Sequence, residues 1–223
     1  MQLNRPFSTV TPTLDGDVLR VLASQDAAFT AGRVHRVLDS HSVEGVRKVL
    51  RRLDGQGVVY SERVGNTFSY RLNRDHLAAE HIIGLARLRE TLLERIAKRL
   101  EEWATPPVYA AVFGSAATGS MSVESDLDLL LIRPRAAVEA EWAAQVEALV
   151  TDTTKWVGND TRVLEFTDAE VETTGRDEPV LGDVLANGLT VAGDRAWLLR
   201  QLRGRNRNAH ETVRQDDPPG ADE

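Results

Sequence analysis

Asp126 and Asp128 stand two apart in the run Asp126-Leu127-Asp128-Leu129-Leu130-Leu131-Ile132. Residues at i and i+2 of a strand point to one face, so the two carboxylates emerge together while Leu127 and Leu129 turn the other way. Two anionic groups side by side on an apolar strand repel each other and lose hydration, and a bound divalent cation is the simplest compensation. Oxygen ligands with no cysteine and no nearby histidine favour Mg²⁺ over a softer metal. Upstream, the apolar run from Val108 to Phe113 leads straight into Gly114 and Ser115. A strand that ends in Gly-Ser and opens a helix offers backbone N–H groups to an anion, with glycine permitting close approach and Ser115 adding a hydroxyl. A phosphate cradle beside paired metal-binding carboxylates implies nucleotide chemistry.

Gly114-Ser115, ten intervening residues ending in Ser125, and then Asp126-Leu127-Asp128 resemble the signature of the DNA polymerase β-like nucleotidyltransferase superfamily. The resemblance covers about residues 105–195 and is nearest to the minimal members, including MntA-type antitoxins. It implies an α/β fold with a mixed sheet, in which Gly114, Ser115 and Ser125 take the phosphates of an NTP, ATP being the expected one. It also implies two Mg²⁺ ions held by Asp126, Asp128 and a third carboxylate on a later strand, which can act as base. Thr161-Arg162-Val163-Leu164-Glu165-Phe166-Thr167 reads as that strand, with Leu164 and Phe166 facing the core and Glu165 the opposite way. Glu165 is therefore the expected third ligand, ahead of Asp160 and Asp168, which fit a turn and a helix cap. The chain after Glu165 is too short for the helical substrate domain of aminoglycoside nucleotidyltransferases, which demotes antibiotic modification to a second alternative.

These residues need a scaffold, and the rest of the chain divides by charge. The 223 residues carry a net charge of −7, but residues 30–74 hold nine basic and four acidic side chains while residues 105–200 hold seven and sixteen. A basic module precedes an acidic one. In the first, Leu14, Val18 and Leu22 form a helical stripe, and Thr30 can cap a second helix through Val34, Val37 and Leu38. Ser42 can cap a third, in which Val46, Val49, Leu50 and Leu53 face the core and Arg47, Lys48, Arg51 and Arg52 face away. Two short strands joined at Gly65-Asn66 follow.

That order, over residues 14–74, resembles the winged helix-turn-helix of MarR-like and ArsR-like regulators. The resemblance implies that Arg47, Lys48, Arg51 and Arg52, with Arg63 on the wing, meet double-stranded DNA. Residues 75–104 read as one long helix capped by Asn73, whose stripe Leu85, Leu88, Leu92, Ile96, Leu100 and Trp103 suits a connector or a homodimer contact. The nucleotidyltransferase domain is expected at 105–202. Residues 203–223, rich in charge and poor in apolar side chains, are expected to be a disordered tail.

The sequence has no cysteine, which excludes disulfides, thiol nucleophiles and cysteine metal sites. The absence of a long apolar run and of a hydrophobic leader makes a cytoplasmic protein without membrane contact the expectation. The fold class expected is α+β. The function expected is Mg²⁺-dependent transfer of NMP from NTP to an acceptor hydroxyl on a protein, an RNA or a small molecule. A partner toxin or self-regulation through DNA fits this picture. The alternative is a transcriptional regulator whose nucleotidyltransferase fold is inactive or senses nucleotide.

Overall fold

The computed structural model describes residues 1–39 and 41–203; the tail expected beyond Arg203 lies outside the described residues. The first unit comprises α1 (Leu14–Ala23), β1 (Phe29–Thr30), α2 (Ala31–Leu38), α3 (Val43–Gly55), β2 (Val59–Val64) and β3 (Thr67–Leu72). Its sheet is antiparallel throughout, in the order β1-β3-β2. Thr30 and Ser42 accept hydrogen bonds from the N–H groups of Arg33 (3.2 Å) and Gly45 (3.1 Å), so both helices start at side-chain caps. Val18, Leu22, Val46, Leu50 and Val59 are wholly buried at its centre, which places the spacing-3-and-4 stripes of α1 and α3 face to face.

The stretch expected as one helix over 75–104 is two: α4 (Ala79–Ala86) and α5 (Leu88–Glu101), broken at Arg87, where φ −98° and ψ 14° depart from helical geometry. The break has a packing cause. Ile82, with Ile83 and Leu85 beside it, packs into the first core, whereas Leu92, Ile96, Leu100 and Trp103 pack into the second. One continuous stripe in the sequence thus serves two cores that a straight helix could not face together. Most of the stripe is consumed within the chain, Leu85 in the first core and Leu92, Ile96, Leu100 and Trp103 in the second. Asn73 does not cap α4 either; its side chain donates to the Gly57 carbonyl (2.8 Å) and accepts from the Asp75 N–H (3.1 Å), fixing a turn.

The second unit is a mixed four-stranded sheet, β6-β5-β4-β7, formed by β4 (Tyr109–Phe113), β5 (Leu127–Arg133), β6 (Thr161–Thr167) and β7 (Leu189–Gly193). β5 runs antiparallel to β4 and parallel to β6. Both faces are covered, which explains why the interior of β5 reads as an almost unbroken apolar run. On one face Ala110, Val112, Leu127, Leu129 and Leu131 meet α5 and α7 (Glu139–Val157), with Trp103 and Trp142 edge to face at 5.1 Å. On the other, Tyr109, Ala111, Leu130 and Ile132 meet Val171 of α8 (Asp168–Thr173), Leu181 and Val184 of α9 (Pro179–Asn187) and Leu198 of α10 (Arg195–Arg203). Among the described residues, no helix is long and apolar enough to cross a membrane.

Candidate active site

β4 ends at Phe113 and the chain turns at once into α6 (Gly114–Thr118). Gly114 makes this turn at φ +65°, a left-handed conformation that side chains disfavour. A Cβ there would lie 2.6 Å from Asp128 Oδ2. Glycine is required twice over, by the backbone and by the carboxylate that presses against it. No side chain caps the start of α6, so its first-turn N–H groups are left without a side-chain acceptor, and Ser115 is the second residue of that turn.

Asp128 pairs in register with Phe113 on β4 and with Arg162 on β6. Asp126 sits just ahead of β5, two residues back and on the same side. Burial pushes the Asp128 carboxyl above its ordinary value, the Asp126 charge pushes it the same way, and Arg162 opposes both. Arg162 Nη1 reaches Asp126 Oδ2 at 2.9 Å. The face that carries the two aspartates therefore also carries a guanidinium.

The loop ahead of β5 is held from below. Asn159, 4% exposed, donates through its side-chain amide to the carbonyls of Val123 (3.0 Å) and Ser125 (2.8 Å). The Ser125 hydroxyl accepts from the Ser122 N–H at 2.9 Å, so it closes this loop rather than facing the opening beside Gly114. Neither Asn159 nor Arg162 stands out in the sequence. The register of a parallel pair would reveal Arg162, and the position after the left-handed Gly158 at the end of α7 hints at Asn159.

Glu165 does not join the aspartates. It pairs with Leu131, three positions further along β5 than Asp128, about 10 Å away along the strand. An odd number of positions also places it on the opposite face, under α7, where it accepts a hydrogen bond from Trp142 Nε1. The structure thus separates Glu165 from the two aspartates; alternation along β6 gives two faces, and only the pairing with β5 tells which of them the aspartates share. No cluster of three or more candidate metal-ligating side chains exists among the described residues. The donor set fits one divalent cation at Asp126 and Asp128 and gives no support to a second.

Of the five basic residues expected at DNA, Arg47, Lys48, Arg51, Arg52 and Arg63 are all exposed. Arg47 and Arg51 line a groove of about 440 Å³ between α3 and the β2–β3 hairpin, together with Ser61, Asn66, Phe68 and Tyr70. Arg52 instead pairs with Asp15 of α1 and donates to Gln56, and Arg63 donates to the Gly65 carbonyl at 3.2 Å.

Residues 93–172 match the family model described as "Nucleotidyltransferase domain". The chain thus carries a nucleotidyltransferase domain and is by that domain a transferase. The span includes residues 93–101 of α5, ahead of Pro106 and Pro107, and α5 packs on the sheet. The chain is similar to a toxin-antitoxin structure with AMP-PNP at 14% identity and a TM-score of 0.37, covering 49% of this chain and 80% of that one. It is similar to the MntA-HepT toxin-antitoxin at 13% identity and 0.34, covering 51% and 80%. It is also similar to TrmBL2, an archaeal chromatin protein, at 16% identity and 0.29, covering 82% and 77%. No curated protein matches it.

Proposed function

We propose that the C-terminal domain transfers a nucleoside monophosphate from an NTP, ATP in the first instance, to an acceptor hydroxyl on a protein, an RNA or a small molecule. The observation that carries this is the convergence of Gly114, Asp126 and Asp128 at one end of the sheet. Asp126 and Asp128 would hold one divalent cation, Mg²⁺ by its oxygen ligands, which when bound supplies charge neutralisation at the α-phosphate. Ser115 and the first N–H groups of α6 take the β- and γ-phosphates. The acceptor oxygen bonds to the α-phosphorus as the bond to the β-phosphate oxygen breaks, and pyrophosphate leaves. With Glu165 on the other face, no further carboxylate stands ready as base among the described residues, and the acceptor proton passes to solvent.

The direct test is incubation with α-labelled NTPs, Mg²⁺ and a lysate. Label on a macromolecule or small molecule, with matching pyrophosphate release, is the expected result. No label from any of the four NTPs would favour the second reading, a regulator that binds nucleotide without transferring it. The Arg162–Asp126 pair favours that reading, because it occupies one of the two carboxylates. Its strength is limited: Arg162 is 72% exposed, which holds such a pair to at most about 1 kcal/mol. Arg162→Ala should accordingly tighten Mn²⁺ binding, read by electron paramagnetic resonance, by roughly fivefold or less.

We further propose that residues 14–74 form a winged helix-turn-helix that binds double-stranded DNA through the groove between α3 and the hairpin. Arg47 and Arg51 are the residues placed to carry it, with Lys48 on the same exposed helix face. In a gel shift with DNA from upstream of the gene, Arg47→Ala plus Arg51→Ala should weaken binding at least about tenfold. It should also reduce the slope of log K against log salt by about two, one for each phosphate left without its arginine. Unchanged affinity and slope would exclude the groove. A partner toxin as the acceptor is compatible with this arrangement, as is self-regulation.

A further inference from the structure

A second, basic cavity lies at the seam between the two units. About 320 Å³ in volume, it is bounded by the segment ahead of α1, by α1 itself and by the joint between α4 and α5, with Asn4, Arg20, Ser24, Arg87, Arg89 and Glu90 in its wall. Three guanidinium groups against one carboxylate leave the wall net positive. Among the described residues, none of the three arginines has a carboxylate within 4 Å. Arg20 Nε and the Asn4 side-chain oxygen are buried with no hydrogen-bond partner. A buried donor left in this state costs about 1–3 kcal/mol. Asn4 can turn its amide nitrogen toward the same space.

We propose that this seam binds a phosphate-bearing anion, pyrophosphate or the phosphate end of a nucleotide, at a site separate from Asp126 and Asp128. Guanidinium groups favour phosphate because their planar N–H forks match its oxygens in pairs. The volume lies at the lower end of small-ligand sites, enough for pyrophosphate or a mononucleotide. The position gives the site a role. Arg20 belongs to α1 of the first unit, Arg87 is the joint at which α4 gives way to α5, and Arg89 donates to the Ala117 carbonyl of α6 at 3.3 Å. An anion held by all three bridges the basic unit to the short helix that opens at Gly114. Its binding is linked to the relative placement of the two units and reports the phosphate pool to both.

Isothermal titration of the full chain with pyrophosphate and with AMP, in EDTA so that no divalent cation is bound, tests this. Micromolar to low-millimolar binding is expected, at least about tenfold weaker in Arg20→Gln and in Arg87→Gln and retained in Arg20→Lys. Response to both ligands marks a general phosphate site, whereas response to AMP alone marks one that also uses the nucleoside. Arg87 is exposed, so Arg87→Gln carries the test even if Arg20→Gln disturbs folding. Loss in Ser115→Ala with none in Arg87→Gln, or no binding of either ligand at 10-millimolar order, overturns the site. Neither result bears on whether the domain transfers nucleotides.

Discussion

Asp128→Asn is expected to abolish Mg²⁺-dependent pyrophosphate release from NTP while leaving the protein at least as stable as before. Both halves come from the surroundings of one carboxyl group. Asp128 is half-buried, and burial first, then the Asp126 charge, raise its pKa, with Arg162 opposing. A carboxyl whose folded pKa is raised holds its proton more tightly in the native state than in the unfolded one. Stability therefore falls as pH climbs from the unfolded value through the folded one, and the deficit persists at neutral pH. An amide of the same shape removes that deficit, so the melting temperature at pH 7 should hold or rise. Its dependence on pH across the acid range should flatten. Catalysis moves the other way, because metal-centred charge stabilisation is worth several kcal/mol and each 1.36 kcal/mol is a factor of ten. A loss of at least about a hundredfold is expected, accompanied by loss of Mn²⁺ binding. Asp126→Asn should lose activity likewise without the gain in stability, since its carboxylate has an ion-pair partner in Arg162. Undiminished pyrophosphate release in both variants would show that the chemistry lies elsewhere.

What made the pair legible was period. Carboxylates two apart inside a run of leucines can only share a face of a strand, and the Gly-Ser after an apolar run can only be a tight opening. The caps Thr30 and Ser42 and the hairpin at Gly65-Asn66 were legible for a related reason, since local rules decide them. The failures share the opposite property: each depended on a partner remote in the chain. Glu165 and Arg162 lie three positions apart on one strand and point to opposite faces, and the pairing of Arg162 with Asp128 selects which of them meets the aspartates. Leu85 and Leu92 continue one helical stripe, yet they serve different cores, and only the packing of the two units breaks the helix at Arg87. Arg52 carries the same charge as Arg51 but is drawn aside by Asp15, more than a helix away.

Gly114→Ala should cause the largest loss of all, in both activity and stability, by two separable routes. Holding alanine at φ +65° costs on the order of 1–3 kcal/mol in backbone strain alone. The new methyl group also meets Asp128 Oδ2 at 2.6 Å, closer than a Cβ and an oxygen can approach, so either the carboxylate swings away or the turn opens. Swinging Asp128 breaks the paired placement with Asp126, and opening the turn moves the N–H groups of α6 from the phosphate path. Either response should remove measurable pyrophosphate release, while thermal melting falls by about 2–4 °C per kcal/mol of destabilisation in a chain of this length. A double-mutant cycle separates the routes. If the clash with Asp128 contributes, Gly114→Ala combined with Asp128→Ala must be more stable than the sum of the single changes, because the second substitution removes the atom that the new Cβ strikes. Additivity would assign the whole cost to the left-handed backbone and leave Gly114 as a turn residue with no direct claim on the carboxylate.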